Sequence, residues 1–143
     1  MTGPRVKLTA EAEVEIPDAY SHAFSLNTLI GLCHGEAVSA GWWHDLTTNE
    51  SLVGKRNKAE MICLMHSELS EVMEGERKDL MDDKLPHRKM AEVELADTII
   101  RIMDYAGAHG YDVGGALIEK LAYNRNRPDF KKESRSGQNG KKF

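Results

Sequence analysis

Two short acidic pairs constrain this chain more than any other feature: Glu68-Leu69-Ser70-Glu71 and Glu94-Leu95-Ala96-Asp97. Each reads E-x-x-[ED], and each lies in a stretch whose apolar residues recur at helical spacing. Residues three apart share a helix face. Each helix therefore presents a carboxylate pair where a bundle helix normally places leucine. Four such groups brought together repel one another and lose hydration, which is costly unless they take up protons or a cation. Hard divalent cations such as Mg2+ are held by oxygen ligands. The pattern points to a metal site with a phosphate substrate on the metal. The alternative for either pair is a solvated helix face. Glu68, Glu71 and Glu74 illustrate it by continuing at spacing three, and Glu74 and Glu76 read as surface residues. A shared site is favoured because the second pair lies on the next helix, where a short antiparallel turn brings both to similar height.

The remaining pattern is also helical. A first helix is predicted over 24–40, with Leu26, Leu29, Ile30, Cys33 and Ala37 as its stripe. A polar loop follows over 41–57. Asn57-Lys58-Ala59-Glu60 fits a capping box and opens a helix to about Lys78 carrying Met61, Ile62, Met65, Leu69, Val72 and Met73. The 81–87 segment is a turn, with Pro86 placed for the first turn of the next helix. That helix runs from about His87 to Ala106 on Met90, Val93, Ala96, Ile99, Ile100 and Met103. Gly107 and Gly110 suit its end. Asp112 can cap a fourth helix bearing Val113, Ala116, Leu117 and Leu121, which stops before Pro128. Four helices with short connections describe an all-α, four-helix-bundle-type fold. Residues 5–16 alternate strictly, with Val6, Leu8, Ala10, Ala12, Val14 and Ile16 on one side, as a half-buried strand does. The readings for residues 1–20 are a mobile arm, or a short extended arm packed on a partner subunit. The organisation is thus an arm over 1–20, a helical domain over 21–130 and a basic tail over 131–143.

Composition narrows the function classes. With 41% apolar and 29% charged residues, neither disorder nor a fibre is indicated. No apolar run approaches the roughly 20 residues that cross a bilayer, so no membrane partner is expected. The first residues lead into a charged alternating stretch rather than an apolar leader core, and cytoplasmic residence is the default expectation. A net charge of -4 argues against binding of polymeric nucleic acid. Cys33 and Cys63 lack CxxC spacing and read as buried free thiols.

Further motifs carry candidate chemistry. Lys120, Asn124 and Arg127 recur near helical spacing and offer cationic and amide donors to phosphate oxygens. Simple charge complementarity at a helix C-terminus is the other reading. In Trp42-Trp43-His44, a loop tryptophan can stack on any nucleobase, or plug the space between helices; for two adjacent residues, one of each is expected. Asp97, Arg101 and Asp104 lie along one face, as an intrahelical support for a metal ligand or a surface ion pair. His66 lies on nearly the opposite face from the acidic pair and is not expected to be a ligand.

Together these motifs resemble the MazG-like, all-α nucleoside triphosphate pyrophosphohydrolase family. The resemblance is carried by His66-Ser67-Glu68-Leu69-Ser70-Glu71-Val72-Met73-Glu74, by Glu92-Val93-Glu94-Leu95-Ala96-Asp97, by Lys120, Asn124 and Arg127-Pro128, and by the basic end Gly140-Lys141-Lys142-Phe143. It covers roughly residues 25–143. It implies a MazG-like fold and Mg2+-dependent cleavage between the α and β phosphates of (d)NTPs, yielding (d)NMP and pyrophosphate in nucleotide-pool house-cleaning. Mn2+ is expected to substitute. By resemblance Glu68, Glu71, Glu94 and Asp97 are metal ligands, and Glu71 is the candidate for orienting or deprotonating the water. Lys120, Asn124 and Arg127 hold the polyphosphate, with Lys141 and Lys142 closing over it, and Trp42 and Trp43 are the base-stacking candidates. A homodimer is implied, or its pairing into a homotetramer.

Three rivals remain. Di-iron bundles use Glu-x-x-His, but Ala19, Gly31, Gly41, Cys63, Lys84 and Ala106 occupy the positions three before the six histidines. A non-catalytic helical interaction module would leave the acidic pairs solvated and show no stabilisation by divalent cations. All-α dUTPases and phosphoribosyl-ATP pyrophosphatases share the helical carboxylate chemistry by resemblance and differ in the base pocket.

Overall fold

Helix-compatible spacing yields helices throughout. The computed structural model describes residues 4–9 and 16–141. The chain is all-α: α1 spans Ala19–Ser39, α2 Lys58–Lys78, α3 Met90–His109, α4 Val113–Asn126 and a four-residue α5 Lys132–Arg135, with a 3-10 turn at Pro128–Phe130. Among the described residues there is no strand beyond two isolated bridges, His44 with Ser51 and Met81 with Lys89. Nor, among them, is any helix long and apolar enough to cross a membrane. The chain forms two compact units, residues 29–111, and residues 1–28 with 112–143. The division falls inside α1.

In the 29–111 unit, α2 and α3 form a hairpin. Asn57 caps α2 by accepting from the amides of Ala59 and Glu60, and Asp79 ends it in the left-handed conformation. The connection is built on buried Asp82, whose Oδ1 accepts from the amides of Lys84 and Leu85. The turn thus extends to Lys89 and α3 starts at Met90. Pro86 sits within the turn and not in the first helical turn, because Asp82 uses the following amides before a helix can. Gly75 lets the two helices touch: a Cβ there would lie 2.9 Å from the Ala91 backbone nitrogen. Contacts of Gly75 with Met90 and Ala91, and of Glu68 with Arg101, run in opposite chain directions, so the hairpin is antiparallel. The C-terminal half of α1 lies along α3, with Cys33 Sγ 3.7 Å from Met103 Sδ and Gly107 closely overlying His34.

The other unit has its own small core of Ile16, Ala19, Ala23, Ile118 and Ala122, with Val6 and Leu8 packed against it. The start of the alternating arm is thus laid on its own chain. Residues 4–9 form no strand; the Lys7 amide donates to Asp112 Oδ2 and the Thr9 amide to Glu119 Oε1. Residues 10–15 lie outside the described residues. Asp112 caps α4 as expected, accepting from the Gly115 amide and from Asn27. Burial raises the Asp112 pKa, but the hydrogen bonds from Asn27, Gly115 and Lys7 outweigh it and hold the carboxyl below its ordinary value.

The buried faces differ from the predicted stripes. On α4, Gly114, Gly115, Ile118 and Ala122 are buried, whereas Leu117 and Leu121 are exposed. On α3 it is Ala91, Thr98, Met103 and Ala106 that are buried, with Ile99 and Ile100 exposed. The stripes turn because the small residues permit close approach: Gly114 lies against the Ala23 carbonyl, and its amide donates to Asn27 Oδ1. Both cysteines are free, but Cys63 is exposed rather than buried.

Candidate functional site

The α2–α3 hairpin brings Glu68, Glu94 and Asp97 together, with one carboxylate oxygen of each lying within 4.8 Å of the others. Glu71 lines the same cleft, of about 580 Å³, with Asp82, Asp83 and Lys84 of the connection at its end. The electrostatics follow from this crowding. Burial, a hydrogen bond with Glu68 and the charges of Asp97, Glu68 and Glu71 together raise the Glu94 pKa. A carboxyl held partly protonated by its neighbours is what a cation-binding cluster shows before the cation neutralises it. The donors are all hard oxygens, a set suited to Mg2+ or Mn2+ and poorly suited to soft metals.

Arg101 provides the counter-charge, its Nε donating to Glu68 Oε1 at 2.6 Å. The intrahelical Asp97-Arg101-Asp104 arrangement read from spacing does not form. Arg101 reaches across the hairpin, and Asp104 faces α1 and the loop. There Asp104 Oδ1 accepts from Trp43 Nε1 at 2.7 Å and lies 2.8 Å from His34 Nδ1. An indole N–H and an imidazole hold it more firmly than an exposed helical neighbour can.

A second cavity, of about 620 Å³, lies between the end of α1, the loop, α2 and α3. It shares Asp97 and Arg101 with the acidic cleft, so the two adjoin. Trp42, 66% exposed, lines it; Trp43, 1% exposed, does not. Trp43 is the plug of the expected pair. Its ring meets His34 and His109 edge-on, and the Arg56 guanidinium lies 5.0 Å above it. That leaves Trp42 as the ring with a face open to the cavity. Cys33 also lines this wall, but burial and Asp104 raise its thiol pKa, which keeps it protonated and a poor nucleophile. Sequence reasoning did not single out Glu36 or Arg56, both in this wall. Glu36 falls one turn from Cys33 and Ala40 and was in principle legible, whereas Arg56 comes from a loop whose path no periodicity reveals.

The basic candidates belong to the other unit. Lys120 Nζ lies 4.6 Å over the Tyr123 ring. Arg127 makes a two-pronged pair with Asp129, Nε to Oδ1 at 3.0 Å, and Lys141 Nζ lies 3.7 Å from the same carboxylate. Asp129 therefore gathers two of the expected phosphate ligands. Asn124 Oδ1 is buried with no hydrogen-bond partner among the described residues. Lys142 lies outside the described residues.

No family model, curated protein or solved structure matches this chain.

Proposed function

We propose that this protein is a Mg2+-dependent nucleoside triphosphate pyrophosphohydrolase of the MazG-like kind, releasing (d)NMP and pyrophosphate. The observation that carries the reading is the convergence of Glu68, Glu94 and Asp97 on one point of a helical hairpin, beside a cavity of nucleoside size walled by Trp42. Glu68, Glu94 and Asp97 would hold the metal, with Glu71 on the same cleft. Mg2+ bound there would supply positive charge to the phosphate oxygens and lower the pKa of a bound water. Glu71, exposed on the cleft wall, is positioned to orient or deprotonate that water. Trp42 stacks on the base, while Trp43 fixes Asp104 and Arg56 from within. On donor chemistry alone, Lys120, Asn124, Arg127, Lys141 and Lys142 are assigned to the polyphosphate.

The test is a panel of ribo- and deoxynucleoside triphosphates with Mg2+, scored for pyrophosphate against orthophosphate. Pyrophosphate with monophosphate, abolished in Glu71→Gln, is expected. Orthophosphate release would mean that another bond is cut, and silence across the panel would return the chain to the interaction-module reading.

A further inference from the structure

We propose that the cavity beside the acidic cluster selects guanine nucleotides, with Glu36 accepting from N1–H and the 2-amino group and Arg56 donating to O6 and N7. This rests on the nucleotide-site reading above and names the base it takes. Five charged side chains line the cavity, and three are engaged elsewhere. Asp104 is held by Trp43 and His34, Arg101 by Glu68, and Asp97 belongs to the acidic cluster. Glu36 and Arg56 remain. The Glu36 carboxylate has no hydrogen-bond or ion-pair partner among the described residues. Arg56 is steadied by the Trp43 ring and by one bond from Nη1 to the Trp42 carbonyl at 3.4 Å. That bond uses one of the five guanidinium N–H donors.

One carboxylate and one guanidinium form a discriminating pair. Guanine alone among the common bases has two adjacent donors on one edge and two adjacent acceptors on another. The two oxygens of Glu36 match the first, and the guanidinium fork matches the second. Adenine and cytosine offer a carboxylate only their exocyclic amino group, and thymine only a ring N–H. Stacking on Trp42 accepts every base alike, so selectivity falls to the charged pair. Sites that hydrogen-bond a group reject analogues lacking it, because their own polar atoms are then left unpaired.

The test is calorimetric titration of the full chain, in Mg2+, with dGMP, dAMP, dCMP and dTMP. dGMP is expected to bind at least about ten-fold more tightly than the others, the discrimination one bidentate contact gives. Glu36→Gln is expected to remove that preference and leave dAMP affinity unchanged, while Glu36→Asp, which keeps the carboxylate, retains part of it. Equal affinities, no dGMP binding, or a preference untouched by Glu36→Gln would overturn the proposal. Monophosphate binding needs no turnover, so a failure to release pyrophosphate bears on the hydrolase reading alone. Conversely, unselective cleavage of all triphosphates would defeat only the guanine assignment.

Discussion

Glu94 makes the acidic cluster legible to titration. Its pKa in the folded chain is raised by burial and by three neighbouring carboxylates. A carboxyl raised on folding contributes stability that is fully present below its unfolded-state pKa and is lost as pH rises through the raised value. Without metal, wild type is therefore expected to lose stability relative to Glu94→Gln on going from about pH 4 to about pH 7. Saturating Mg2+ should offset the loss in wild type, since metal binding displaces the proton. Thermal melts of both proteins across that range check this; parallel curves would remove the crowding argument. Asp104 is the second informative residue. Asp104→Ala leaves the buried Trp43 N–H without an acceptor and is expected to destabilise by about 1–3 kcal/mol in denaturant unfolding. Asp104→Asn keeps an acceptor and should lose much less. The adjacent tryptophans were legible as one plug and one open ring. Which was which depended on Asp104 reaching the loop, and helix spacing carries no such information.

Among the elements, the α2–α3 hairpin decides whether the carboxylates meet, and Gly75 sets how closely its helices approach. Gly75→Ala is expected to destabilise by about 1–3 kcal/mol through overpacking. It should also weaken Mg2+-dependent stabilisation, because the helices that carry Glu68 and Glu94 must part; melts with and without Mg2+ measure both. Hairpin, caps and acidic pairs were readable because each is local: Asn57, Asp112 and Gly110 act within a turn, and three-residue spacing fixes a shared face. The buried stripes of α3 and α4 were not readable in the same way. Periodicity marks the largest apolar residues, whereas close approach in this chain is made by Gly75, Gly107, Gly114 and Ala106, with Ile99, Leu117 and Leu121 left outside. The partner of Arg101 was missed for a related reason, since a long side chain crosses to the neighbouring helix as readily as it lies along its own.

For the whole molecule, the apolar surface is the dominant fact. Leu69 and Met73 on α2, and Leu95, Ile99 and Ile102 on α3, are each at least 40% exposed. Contiguous apolar surface of this kind marks an association site, and a homodimer, or its pairing into a tetramer, is expected. Light scattering at micromolar concentration should give at least twice the 16.0 kDa chain mass. Leu69→Lys with Ile99→Lys should lower it, and a monodisperse wild-type monomer would refute the association. The proposed chemistry rests on one point in this molecule, the meeting of Glu68, Glu94 and Asp97. The most direct measurement is a Mn2+ titration at neutral pH, followed by the loss of the free-ion resonance, on wild type, Glu94→Gln and Asp97→Asn, with circular dichroism to verify helicity. Saturable binding in wild type, lost or strongly weakened in both folded variants, is the expected result. No binding in wild type, or binding unchanged in the variants, would contradict a metal site at this hairpin.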